Sequence, residues 1–248
     1  MKKTTKEHVR IQKDTIDIET EETLEVNELI PSGTAQNEDM EWIVGLKEQF
    51  SHTMDPILRM YNAAMNETTA RFQIIKDEFQ FRNQRCPIHH IDTRLKSASS
   101  ILGKLQKKDL ALTLSSACNN IYDIAGVRVV CPYVKDVYLL RERIMAQDDI
   151  HIMEEKDYIQ VPKRNGYRSL HIILRVPVYF MNKKQMVPVE VQIRSMAMDL
   201  WASLEHDIKY KSYNQDYDIN FTPKLYECSK LIYQAESEME KINDLLEG

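Results

Sequence analysis

The chain has 248 residues, 43% of them apolar, with twelve tyrosines and a formal net charge of −5. That length and composition suit one elaborated domain with a real core, and the acidic balance excludes a generally basic nucleic-acid coat. Any anionic ligand must therefore be met by a local basic patch. No run of about 18 apolar residues occurs, so no span is read across a membrane. The N-terminus is basic but lacks an apolar core, which excludes a secretory signal. The four cysteines, Cys86, Cys118, Cys131 and Cys228, have no CxxC spacing. They read as reduced thiols, which places the chain in the cytoplasm. Only six glycines are present, and neither GxGxxG nor GxxxxGK[ST] occurs. Lysine and arginine side chains must then do most of any phosphate binding.

Residues 1–40 read as a separate extension. The first ten are basic, and residues 11–40 carry nine acids against one lysine. That composition predicts a poorly ordered tail, leaving 41–248 as a single domain. From 41 to about 83, Ile43, Leu46, Phe50, Ile57, Tyr61, Met65, Phe72, Ile75 and Phe79 recur at helical spacing. Pro56 is expected to break this helix or to open a second one. Residues 97–108 give a further helical pattern. A short strand follows at 127–132, then a helix over 134–147 and a strand over 171–180. Within 186–194, Val187, Val189, Val191 and Ile193 alternate with Glu190, Gln192 and Arg194, so the strand has one apolar and one polar face. A helix is predicted over 196–211. Over 221–248, Leu225, Cys228, Ile232, Ala235, Met239, Ile242 and Leu246 form a narrow apolar seam, which needs the chain's own body or another subunit as partner. Strands alternating with helices between long flanking helices predict an α/β (α+β) fold around a mixed sheet.

Four stretches carry candidate chemistry. Residues 94–108 hold Arg94, Lys96, Lys104, Lys107 and Lys108 without an acid. On a helix Lys96, Ser100, Lys104 and Lys107 share one face, and such a set of cations suits a triphosphate as well as plain solvent. In "DIAGVRVV", Asp123 precedes a buried strand, Gly126 allows a close approach, and Arg128 projects opposite Val127 and Val129. A carboxylate among cations is either a counter-ion or a ligand for Mg²⁺, which takes one or two carboxylates plus substrate phosphates. "KRNGYRSLH" combines cations, an Asn-Gly turn and Tyr167, which can meet a base and a phosphate together. The fourth stretch is the polar face of Glu190, Gln192 and Arg194. His206 and Asp207 lack the further ligands that a metal hydrolase requires.

In this order, the four stretches resemble the RelA/SpoT-type (p)ppGpp synthetase domain over about residues 50–245. The short length and flanking helices resemble the small alarmone synthetases, and "DYIQVPKRNGYRSLH" and "AMDLWASLEH" are similar to their RelP branch. The resemblance implies transfer of pyrophosphate from ATP to the ribose 3′-OH of GDP or GTP, in stringent-response signalling. It implies that Arg94 and Arg128 sandwich adenine, and that Lys96, Ser100, Lys104 and Lys107 hold the ATP phosphates. Asp123 would bind Mg²⁺ and Glu190 would accept the 3′-OH proton. Tyr167 would stack on guanine, Lys163, Arg168 and His171 would lie near the acceptor phosphates, and Gln192 would position the acceptor. Asp199, in the following helix, is expected to read the guanine N–H edge. A homotetramer built through the flanking helices is implied, and no residues remain for a hydrolase region. Two other readings stay open: the same transfer to an adenine nucleotide or an RNA 3′ end, and a catalytically silent nucleotide sensor. No DNA partner is expected, and RNA binding stays open.

Overall fold

The computed structural model describes residues 38–214 and 220–247. It begins with a long helix, α1 (Glu38–Phe81), and ends with another, α6 (Thr222–Glu247). Between them lie β1 (His90–Leu95), α2 (Ala98–Lys107), α3 (Leu114–Asn120), β2 (Ala125–Cys131), α4 (Val134–Met145), β3 (His151–Asp157), β4 (Leu170–Phe180), β5 (Lys183–Ser195) and α5 (Met196–Asn214). The five strands form one sheet in the order β1-β2-β5-β4-β3, parallel only between β2 and β5. The mixed sheet between long terminal helices agrees with the fold class read from the sequence. The acidic extension expected over 1–40 lies, as far as residue 37, outside the described residues.

One face of the sheet is the core. Val127, Val129, Ile172, Leu174, Val189, Val191 and Ile193 are all buried there in register across three strands. The helix α1 packs against β1, β2, β4 and β5, burying Met54, Tyr61, Phe72 and Ile75. Pro56 does not break it, contrary to expectation. Pro56 and His52 are both exposed, so the carbonyl that loses its N–H partner faces water. Met54, Ile57 and Met60 on either side are buried and hold the helix to the sheet.

Two strands and one helix were not foreseen, and each has a physical reason. The edge strands β1 and β3 bury little: no residue of either is fully buried. In β1 the alternation of His90, Asp92 and Arg94 with Ile91 and Leu95 is too short to stand out, and β3 shows none. The helix α3 has only 7 residues, capped by the Thr113 side chain on the Ser116 amide.

Candidate active site

Because alternate residues of a strand share a face, the register fixes the polar surface opposite α1. Arg94 stands opposite Gly126, which stands opposite Glu190 and then Ile173. One step along, Asp92, Arg128, Gln192, His171 and Lys156 form a second row across all five strands. Together with Lys96 and Asp123 from the flanking loops, the donor end of these rows lines a cleft of about 510 Å³. Gly126 sits on its floor. A Cβ there would approach Arg94 O at 3.6 Å, an ordinary contact, so this glycine keeps the floor open and does not serve a tight backbone approach.

Asp123 is the electrostatic centre of one end. Its Oδ2 accepts from Lys96 Nζ at 2.9 Å and Lys104 Nζ at 2.6 Å. Burial pushes its carboxyl upward, but the two ammonium groups outweigh this and hold it below the usual aspartate value. Lys96 lies before the helix, with Ser97 as N-cap, and therefore reaches Asp123 from a loop, not from a shared helical face. Ser100 sits in the first turn, its amide bonded to Ser97 Oγ and its hydroxyl 2.9 Å from that same oxygen. Lys107 is exposed in the last turn and does not line the cleft.

Among the described residues, no group of three His, Cys, Asp or Glu side chains could hold a metal unaided. Asp123 Oδ1, however, is buried without a hydrogen-bond partner. One free carboxylate oxygen at the cleft fits Mg²⁺, which completes its shell with water and substrate phosphates.

Glu190 is the second centre. Gln192 Nε2 donates to its Oε2 at 2.9 Å, and His171 Nδ1 stands 3.4 Å from its Oε1. Burial would raise its pKa, yet His171 and Gln192 together hold it below the usual glutamate range. His171 Nε2 is 2.9 Å from the Tyr167 hydroxyl. With the imidazole proton on Nδ1, the Tyr167 hydroxyl donates to His171 and His171 to Glu190.

Tyr167 is set by its loop. Gly166 has φ +92°, and a Cβ there would meet Ser229 Cβ at 2.6 Å. Ser229 of α6 donates to Gly166 O, and Asn165 Nδ2 donates to Glu205 Oε1 of α5 at 2.9 Å. Lys163 Nζ lies 4.7 Å from the Tyr167 ring centroid and 4.5 Å from that of Tyr158. Burial lowers the Lys163 pKa and raises that of Tyr167.

Two expected acceptor residues are placed differently. Arg168 donates to Ile159 O at 2.7 Å and stacks on Tyr233 of α6, with 4.2 Å to the ring centroid. It fastens the loop to α6 and is not turned to the cleft, because it takes the opposite side of the extended chain from Tyr167. Asp199 is partly exposed and lies beside two guanidiniums, with Arg194 Nε 3.2 Å and Arg128 Nη1 3.9 Å from its Oδ1, neither completing a hydrogen bond. Sequence reasoning missed Asp92, which β1 brings to the cleft, and Tyr158, the second ring on Lys163. The alternation of His90, Asp92 and Arg94 against Ile91 and Leu95 was the available signal for the first.

Comparison with known proteins places this cleft in context. Residues 93–215 match the family described as "Region found in RelA / SpoT proteins". GTP pyrophosphokinase YwaC of Bacillus subtilis (strain 168) is 40% identical over 182 residues, covering 73% of this chain and 86% of that protein. GTP pyrophosphokinase YjbM of the same organism is 30% identical over 182 residues, 73% and 84% of the two chains. The crystal structure of small alarmone synthetase 1 from Bacillus subtilis bound to its product pppGpp superposes with TM-score 0.69 at 28% identity, covering 81% of this chain and 100% of that one. The same synthetase bound to AMPCPP gives 0.64 at 26% identity, over 81% and 98%. Small alarmone synthetase 2 from that organism gives 0.66 at 39% identity, over 75% and 97%. With Asp123, Glu190 and the Tyr167 loop all inside the matched region, the chain belongs to the GTP pyrophosphokinases of the RelA/SpoT family, as a small alarmone synthetase.

Proposed function

We propose that this chain transfers the β,γ-pyrophosphoryl group of ATP to the ribose 3′-OH of GDP or GTP, giving (p)ppGpp and AMP. The observation that carries the reading is the pairing of two ionised carboxylates in one cleft with Arg94, Lys96 and Arg128, Asp123 with a free oxygen and Glu190 held as a base. In the reaction the 3′-oxygen bonds to the β-phosphorus. The bond from that phosphorus to the α,β-bridging oxygen breaks, and AMP leaves with the oxygen. The 3′-OH proton passes to Glu190, which His171 and Gln192 orient and keep ionised.

On the donor side, Arg94 and Arg128 are diagonal neighbours on adjacent antiparallel strands. Such pairs stand about 7–8 Å apart, which leaves room for one aromatic ring between two guanidiniums. Lys96 and Lys104 neutralise phosphate charge, with Ser100 at the start of α2, and Lys107 lies further out along the same helix. Mg²⁺ bound at Asp123 would neutralise charge building on the bridging oxygen. On the acceptor side, Tyr167 supplies a ring for guanine, Lys163 and His171 supply cationic or donor groups for phosphate, and Gln192 positions the ribose. Positioning and charge neutralisation are most of what such a transfer asks of a protein.

The family's solution form is proposed to be a homotetramer, with the chain working in the cytoplasm. Among the described residues, no helix is long and apolar enough to cross a membrane. The decisive experiment is thin-layer separation of products from labelled ATP with GDP, GTP, an adenine nucleotide and an RNA 3′ end as acceptors. Label in guanosine tetra- or pentaphosphate together with AMP is expected. Label confined to RNA or to an adenine nucleotide, or nucleotide binding without AMP release, would overturn the reading.

A further inference from the structure

Four side chains run from the donor half of the cleft to the acceptor half. Arg128 lines the cleft, and its Nη1 stands 3.9 Å from Asp199 Oδ1. The same oxygen is 3.2 Å from Arg194 Nε. The Arg194 guanidinium carbon in turn lies 6.0 Å from the Tyr167 ring centroid. Arg194 is only 3% exposed, so water screens little of its contact with Asp199, whereas Arg128 is partly open to solvent.

Two guanidiniums share one oxygen of Asp199, and Asp92, opposite Arg128 on β1, also acts on Arg194. Arg128 Nε, Arg194 Nε and Asp199 Oδ1 are all buried without a hydrogen-bond partner. Arg194 Nε and Asp199 Oδ1 face each other at 3.2 Å without completing a hydrogen bond, so the pair can tighten when a ligand arrives. Asp199 has two possible cations, one on each side. An aromatic base against Arg128 draws that guanidinium away and leaves Asp199 to Arg194. Arg194, then held by a full ion pair, is fixed against the Tyr167 ring. Coupling of this kind is reciprocal between the two ligands.

We propose that Arg128, Asp199, Arg194 and Tyr167 form a link through which donor and acceptor nucleotides raise each other's affinity. Asp199 and Arg194 act in it as positioning residues that touch neither nucleotide. The proposal rests on the function proposed above and adds to it a route between the two half-sites.

The test is calorimetric titration of GDP into the full chain with Mg²⁺, in the presence and absence of AMPCPP. For the native protein AMPCPP should tighten GDP binding by about fivefold or more, and GDP should tighten AMPCPP binding by the same factor. Asp199→Asn should bring that factor close to one, while its AMPCPP affinity without GDP changes by less than the factor lost. Arg194→Lys keeps the charge but loses the planar fork, and should give an intermediate factor. A general loss of structure would weaken both affinities and leave the factor undefined, so thermal melts accompany each variant. If Asp199→Asn fails to fold, the reduced factor must appear in Arg194→Lys. A native factor of one, or a folded variant retaining the native factor, overturns the link. Native protein that makes guanosine tetraphosphate and shows either result overturns the link alone; native protein that makes none overturns the proposed function as well.

Discussion

At Glu190 two opposing influences meet. Burial favours the neutral acid, whereas His171 and Gln192 favour the anion, and the anion wins. A carboxyl with a depressed pKa stays ionised through neutral pH. Its contribution to stability is present above the unfolded value and is lost only as pH falls through the folded one. The acid limb of kcat assigned to this base should therefore lie below the ordinary glutamate value of about 4.3. Replacing Glu190 with Gln keeps the shape and the bond to Gln192 but removes the proton acceptor. Turnover should fall by about 10²–10⁴-fold with AMPCPP affinity nearly unchanged, as measured by labelled-product assay and titration. Near-native turnover would remove Glu190 from the role of base. Asp123, Lys104 and Glu190 were legible in the sequence because charged residues beside a buried strand announce a polar site. The approach of two arginines to Asp199 was not, since pairing between a strand and a helix turn depends on distances that spacing does not encode.

Among the elements, the loop before β4 and the helix α6 act together. The Asn-Gly turn could be read from sequence, but its seat could not, because Ser229 lies 63 residues from Gly166. Replacing Gly166 with Ala would place a methyl against Ser229 in a backbone conformation that suits glycine. We expect a loss of roughly 1–3 kcal/mol, seen as a lower Tm, together with a raised KM for the guanine nucleotide and a nearly unchanged KM for ATP. The same helix carries Glu236, 5% exposed, with neither carboxylate oxygen in a hydrogen bond of good geometry. Burial pushes its pKa up to about 7, with Glu240 adding to the rise and Ser195 and Arg168 opposing it. Here the folded value lies above the unfolded one. Its stabilising effect is thus full below the ordinary glutamate pKa and is lost as pH rises towards about 7. Glu236→Gln should raise Tm by a few degrees above neutral pH and leave it unchanged in acid, as read by thermal melts across pH. An equal shift at both pH values would refute the assignment.

For the whole molecule, the apolar seam of α6 is turned outward. Met239, Ile242 and Leu246 are 61%, 60% and 84% exposed, while Ser229 and Glu236 face the body. On α5, Met196, Leu200, Leu204 and Ile208 form a second exposed stripe at helical spacing. Such stripes on one folded chain suit burial against further copies. Light scattering should give the mass of four chains, and Met239→Lys with Ile242→Lys should reduce it. A native monomer at micromolar concentration would refute the assembly. The general plan was readable because β2, β4 and β5 alternate so strictly. The edges β1 and β3 were not, because the alternation of β1 is short and never fully buried and β3 has none.

The seating of Gly166 on Ser229 also bears on how the protein is made. Synthesis runs from the N-terminus, so the sheet, Asp123 and Glu190 all leave the ribosome before α6 exists. Until residues 222–247 have emerged, the turn carrying Tyr167 has α5 to rest on but not its seat on Ser229, and the acceptor half of the cleft lacks that support. A nascent chain therefore completes its donor half first, and its ability to hold a guanine nucleotide waits for the final helix.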